Sequence, residues 1–286
     1  MSIDKLQSAI RKQKNPSMVA FSLDKNQVPP AFYENESDFL KAYLAYAKAL
    51  LDALSGVLPA VRFRFGTFAA AGPRGLEILQ DLLACAKEQK FYILLDTPDV
   101  YSGADAVLIQ QLMAENWQYD GLLLNCYIGS DSLIPFLNEM KQNTKDLFLA
   151  FRTANKSASE MQDQLTGSRL LYTVMADMAS RLGEEMLGKK EYTRLAGVGP
   201  ATSADSLRTL RCKYPAMFLL VDGYDYSGAN AKNCASAFDN LGHGAIACAD
   251  AGIIAAWKED RGDPISLAVD AAERMKKNLT RYVTIL

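Results

Sequence analysis

The sequence predicts an α/β fold, one (β/α)8 TIM barrel spanning residues 1–286, and three observations carry that expectation. The length suits one such barrel or two compact domains, and 49% of the residues are hydrophobic, enough for a large core. Short β-rich runs recur about every 30 residues, the size of a strand–helix unit. Amphipathic helical patterns fill the intervals between them.

The runs are MVAFSL (18–23), AVRFRF (60–65), FYILLD (91–96), GLLLN (121–125), LFLAFR (147–152), RLAGVG (194–199), MFLLVD (217–222) and GAIACA (244–249). Most are nearly continuous apolar stretches, as parallel strands covered by helices require. After the first comes SDFLKAYLAYAKALLDALSG (37–56), apolar at i, i+3, i+4 and i+7, with Ser37 as N-cap candidate and Gly56 as stop. PRGLEILQDLLACAKEQ (73–89) repeats that form, and DSLIPFLNEMKQN, RLLYTVMADMASRLGEEM, SADSLRTLRCKY and ISLAVDAAERMKKNLTRYV follow. Eight strands would also permit an open doubly wound sheet, but no G-x-G-x-x-G or P-loop supports that version.

Charge and composition narrow the function. Thirty-one basic residues face 33 acidic ones, a net −2. That balance argues against a nucleic-acid partner, which needs a basic face. No apolar run reaches the roughly 18 residues that span a bilayer, so no membrane partner is expected. The charged, amphipathic start MSIDKLQSAIRKQKN carries no signal-peptide core, and a soluble, cytoplasmic protein is expected. The five cysteines lack C-x-x-C spacing and read as reduced, mostly buried thiols. His243 is the one histidine, so poly-histidine zinc sites are excluded and any chemistry must run mainly on carboxylates, lysine, arginine or tyrosine. No ligand spacing of a known metal loop is present, and neither metal nor cofactor is expected.

In a barrel the active site lies at the C-terminal ends of the strands. Asp24 follows the first predicted strand, and Arg62 and Arg64 lie on the second. Asp96, Asn125, Thr153, Asp222 and Asp250 stand at the ends of later ones. One such residue alone is most simply a cap or turn former, whereas several converging polar ends make a pocket. Cys126 beside Asn125 and Cys248 read as packed thiols, and Trp117 and Trp257 as outer-layer packing.

These residues sit in segments that resemble the orotidine 5′-phosphate decarboxylase family, in its longer bacterial branch, nearly end to end. SLDKNQVPP (22–30) is similar to the family's GLDP run, and VLPAVRFRFGTF (57–68) to V-P-A-V-K-P-Q-x-A-F. LLNCYIGSDSLIPFL (123–137) matches V-N-P-Y-L-G-S-D-S-x-x-P-F, and FRTANKSASEMQD (151–163) matches V-R-T-S-N-P-S-A-x-x-x-Q-D. The stretch 218–254 is similar to F-L-V-P-G-Y-G-A-Q-G followed by G-A-I-V-N-S-S-R-G-I. The resemblance implies a barrel that forms a homodimer across the loop after the third strand. It also implies cofactor-free decarboxylation of orotidine monophosphate, the last step of UMP synthesis.

The chemical residues depart from that pattern. The family uses an alternating Lys, Asp, Lys, Asp array, three of them in D-x-K-x-x-D. Here Asp96 keeps the first motif carboxylate, Pro98 stands in place of the proton-donating lysine, and Tyr101 in place of the second aspartate. Arg62 takes the place of the strand lysine. Proline offers no donor, and a guanidinium holds its protons too tightly to be a good acid. No lysine lies between Lys90 and Lys141, so a slip in register cannot restore the motif. In the phosphate loops Ser227 replaces a glutamine and Ala251 an arginine, while Asp222, Asp225 and Asp250 add negative charge.

By the resemblance, the candidate catalytic residues are Asp96, Arg62 and Tyr101. The candidate substrate-binding residues are Asp24, Arg64, Asn125, Asp131, Thr153, Asn155, Gly223, Ser227 and Gly252. Three functions remain open for a nucleoside- or nucleotide-like small-molecule ligand. They are a binding protein that has lost catalysis, a redirected enzyme using Asp96 and Arg62 on an unphosphorylated substrate, and an atypical true decarboxylase.

Overall fold

The computed structural model describes residues 2–33, 38–142 and 144–286. Its strands are β1 (Ser17–Phe21), β2 (Ala60–Phe63), β3 (Tyr92–Asp96), β4 (Gly121–Asn125), β5 (Asp146–Ala150), β6 (Leu165–Thr166), β7 (Arg169–Leu170), β8 (Thr193–Pro200), β9 (Met217–Asp222) and β10 (Ala245–Ala249). Eight of them close into a barrel in the order β1-β10-β9-β8-β5-β4-β3-β2, every neighbouring pair parallel. These are the eight runs read from the sequence. β6 and β7 form a separate antiparallel hairpin.

The helix Phe39–Leu54 buries Tyr43, Tyr46, Leu50 and Leu54 against the barrel. Asp38 caps it by accepting from the Leu40 N–H, at 3.0 Å; Ser37, the cap candidate from sequence, lies outside the described residues. Gly56 follows its end at φ +82°, a conformation that costs glycine little, so the predicted stop holds. The helices Pro73–Glu88, Ile134–Gln142, Leu171–Gly183, Ala204–Lys213 and Pro264–Thr280 occupy the other segments read as helical.

Two of the longer helices have no counterpart in that reading. Ser2–Gln13 lies at the N-terminal end of the barrel with Ile3, Leu6 and Ile10 buried. Each such side chain contributes roughly 1.5–3 kcal/mol of burial. Gly103–Asn116 buries only Ala106 and Met113 and turns Val107, Leu108 and Leu112 to solvent. With apolar residues on more than one face it shows no amphipathic stripe in sequence.

The same N-terminal end holds a buried polar cluster. The Tyr92 hydroxyl donates to Asp146 Oδ2 at 2.8 Å, and Arg194 Nε stands 3.7 Å from Oδ1. Burial pushes the Asp146 carboxyl up to about 7 despite both partners. Among the described residues no helix is long and apolar enough to cross a membrane.

Candidate active site at the barrel mouth

The C-terminal ends of β2, β3, β9 and β10 bring together charges far apart in sequence. Arg62, buried on β2, meets Asp96 at the end of β3 in a two-point contact: Nε to Oδ1 at 2.7 Å and Nη2 to Oδ2 at 2.9 Å. Its remaining nitrogen, Nη1, lies 3.1 Å from Asp222 Oδ2, an ion pair bent away from hydrogen-bond geometry. Arg64 Nη2 then reaches Asp250 Oδ2 at 3.0 Å and Asp222 Oδ1 at 4.0 Å. The result is an alternating chain of acid and base running Asp96, Arg62, Asp222, Arg64, Asp250.

The charges sustain one another. Burial alone would lower the Arg62 pKa, but Asp96 and Asp222 outweigh it and hold the guanidinium well above its ordinary value. Burial likewise pushes Asp222 upward, and Arg62 and Arg64 bring its carboxyl below the usual range. The group that faces Asp96 therefore does not give up a proton near neutral pH, and Asp96 is engaged by both its oxygens.

Asp225 sits differently. Its Oδ2 accepts from the backbone N–H groups of Asp250, at 2.5 Å, and Gly252, at 3.2 Å. Desolvation raises its pKa in spite of these bonds. A Cβ at Gly252 would fall 2.3 Å from Asp225 Oδ1, so any larger residue there would displace the Asp225 carboxylate from this position. The loop amides after β10 thus hold a carboxylate of the chain itself. Asp222 and Asp250 pair with arginines at the mouth, whereas Asp225, on an exposed loop, turns its carboxylate to backbone amides.

Two neighbouring cavities flank the charged chain. One, of about 430 Å³, is lined by Asp96, Pro98, Asp99, Asn125, Thr153 and Gln162 among others. The second, of about 260 Å³, is lined by Arg62, Arg64, Asp222, Thr153, Asn155 and Tyr226 among others. Thr153, Leu123 and Ala150 border both, and no lysine lines either. Thr153 is fixed by its N–H and hydroxyl donating to Gln162 Oε1, at 2.8 and 3.1 Å.

The remaining candidates fall into two groups. Arg62, Arg64, Asp96, Asn125, Thr153 and Asn155 converge on the cavities, although Asn125 Oδ1 also accepts from the Tyr127 N–H at 3.0 Å. Gly223, at φ +79°, is packed so that a Cβ would meet Ala154 Cβ at 2.4 Å. Asp24 caps a turn through the Asn26 N–H, at 2.9 Å, and borders neither cavity. Asp131 and Ser227 are exposed outside the two cavities. Tyr101 is 82% exposed, borders neither cavity and, among the described residues, forms no hydrogen bond with Arg62 or Asp96.

Gln162 and Tyr226 border the cavities without having been singled out. Gln162 belongs to the Q-D pair that ends the segment 151–163, a signal within reach; Tyr226, in an exposed loop, offered none. Cys126 is buried, its thiol pushed up to about 12 by desolvation, and its Sγ lies 3.2 Å from the Ala150 carbonyl. It is a packed thiol, as expected, and not a nucleophile.

No protein-family model matches the chain. Curated relatives do. An orotidine 5′-phosphate decarboxylase of Clostridium perfringens is 30% identical over 265 residues, covering 90% of each chain. One from Rhodopirellula baltica is 26% identical over 292 residues, covering 98% of this chain and 95% of its own. The solved Plasmodium berghei orotidine 5′-monophosphate decarboxylase superposes with a TM-score of 0.82 at 13% identity, covering 99% of both chains, a likeness of fold alone. Identity at this level along nearly the whole barrel reaches beyond a shared architecture, and the chain belongs to the orotidine 5′-phosphate decarboxylase family.

Proposed function

We propose that this chain is a member of the pyrimidine-synthesis decarboxylase lineage that binds a nucleoside-like ligand and does not decarboxylate orotidine monophosphate. The observation that carries the reading is the closed contact between Arg62 and Asp96 in a mouth whose cavities no lysine lines. The family reaction needs a proton delivered to the carbon that loses carbon dioxide. Pro98 borders the cavity with no proton to give, and Arg62 is held charged by two carboxylates.

The ligand follows from charge. Four aspartates, Asp96, Asp222, Asp225 and Asp250, share the mouth with two arginines, and the loop amides already hold Asp225. Two like charges 4 Å apart repel by roughly 4 kcal/mol at an effective dielectric of 20, so a phosphate dianion is disfavoured. The cavity volumes suit a small molecule.

A homodimer is the second part of the proposal. Tyr101, Val107, Leu108, Leu112 and Ile134 are all exposed large hydrophobic residues, on the loop after β3 and the helices near it. A second copy covering that face would remove them from water and could carry Tyr101 toward the neighbouring mouth.

The test is carbon dioxide release from orotidine monophosphate by purified protein, with thermal melts in excess UMP and excess uridine. No release, no shift with UMP and a shift with uridine are expected. Release that Asp96→Ala abolishes would overturn the proposal.

A further inference from the structure

At the end of the barrel opposite the mouth, one cavity has a mainly basic lining. There a cavity of about 310 Å³ opens between the N-terminal helix and the starts of β3, β4 and β5. Lys5, Lys87 and Lys145 line it, with Trp117, Tyr119 and a single carboxylate, Asp120. We propose that this cavity is a binding site for a small multivalent phosphate anion, separate from the barrel mouth.

The positions of the charges support the assignment. Asp120 is already committed: Oδ2 accepts from the Ile93 N–H at 2.9 Å, and Oδ1 faces Lys5 Nζ at 3.2 Å. Lys145 donates to the Tyr119 carbonyl, and its Nζ lies 4.6 Å from the centre of that residue's ring. Burial lowers the Lys145 pKa first of all; among its neighbours Asp120 and Glu139 raise it and Lys87 and Lys5 lower it. Lys87 and Lys5 are therefore each near enough to repel the Lys145 ammonium. Lys87, at the end of the helix Pro73–Glu88, makes no ion pair among the described residues. A polyvalent anion would relieve that repulsion, and lysine heads on flexible stems suit phosphate oxygens as point charges. The aromatic floor excludes water from one side and strengthens the attraction. Lys5 belongs to the N-terminal helix while Lys87 and Lys145 belong to the barrel, so a bound anion would clamp the one to the other.

Trp117 borders the cavity and supplies a probe, and Trp257→Phe leaves it as the sole tryptophan. Inorganic pyrophosphate titrated into that protein at low ionic strength should give a saturable fluorescence change and a rise in Tm. Added salt should weaken both. The double variant Lys5→Gln/Lys87→Gln should bind at least about tenfold more weakly while keeping the Tm of the free protein. An ADP arm separates phosphate recognition alone from a contribution by the aromatic floor. An absent or non-saturable response to pyrophosphate, or undiminished binding by the double variant, would overturn the proposal.

Discussion

Replacing Arg62 by methionine tests whether the charged chain at the mouth is a closed structural unit. Methionine keeps much of the length and volume of the side chain and removes its charge. Arg62 is 5% exposed and bridges Asp96, at 2.7 and 2.9 Å, to Asp222, at 3.1 Å. Its loss leaves two poorly solvated carboxylates without their shared cation, a change of the kind that costs about 3–5 kcal/mol. For a chain of this size that corresponds to a Tm lower by roughly 6–15 °C. The pH dependence sharpens the test. In the intact protein the Asp222 carboxyl is held below its usual range, so it contributes stability above the unfolded-state pKa, and that contribution fades as pH falls through the folded value. Without Arg62, burial is opposed only by Arg64 and the Gly223 backbone N–H, and the carboxyl moves up. The gap between the two proteins should therefore be widest near neutrality, narrow as pH falls toward about 4, and close only below that, as pH passes through the folded value of the intact protein. Calorimetric melts across that range, with urea midpoints as a second measure, read it directly. A loss below about 1 kcal/mol at neutral pH would refute the reasoning, because a solvated pair is worth only that much.

Three further expectations follow from the same geometry. Asp225→Gly frees the loop amides of Asp250 and Gly252, so excess UMP should raise the Tm of this variant by several degrees while leaving the parent unmoved; equal responses would show that Asp225 does not exclude phosphate. Because the Asp146 carboxyl is raised to about 7 when folded, the parent loses stability as pH climbs from about 4 to about 7. Asp146→Asn should thus gain on it across that window by up to about 4 kcal/mol, and a constant difference in melts from acid to neutral pH would contradict the assignment. Leu108→Asp/Leu112→Asp should convert a dimer into a folded monomer in sedimentation, whereas an already monomeric parent would remove the proposed interface.

The sequence by itself determined eight strand–helix units, and the closed strand order decided the barrel over an open sheet. Eight apolar runs bounded by turns can be buried on both sides only as parallel strands under helices, and the helix Phe39–Leu54 showed its buried stripe directly. The helix Gly103–Asn116 was not legible, because Val107, Leu108 and Leu112 face outward and blur the periodicity that marks a helix. The identities at the mouth were also legible: Pro98, Ala251, and an arginine at 62 all stood out against the family pattern. Their partnerships were not. Arg62 and Asp96 are 34 residues apart, Arg64 and Asp250 are 186 apart, and the register that sets Arg62 opposite Leu94 brings the former pair within contact. Only the closed barrel decided that Asp222 and Asp250 neutralise arginines while Asp225 turns to backbone amides. Coulomb attraction acts through space, and the curvature of the sheet, not the order of the chain, fixes which charges share that space.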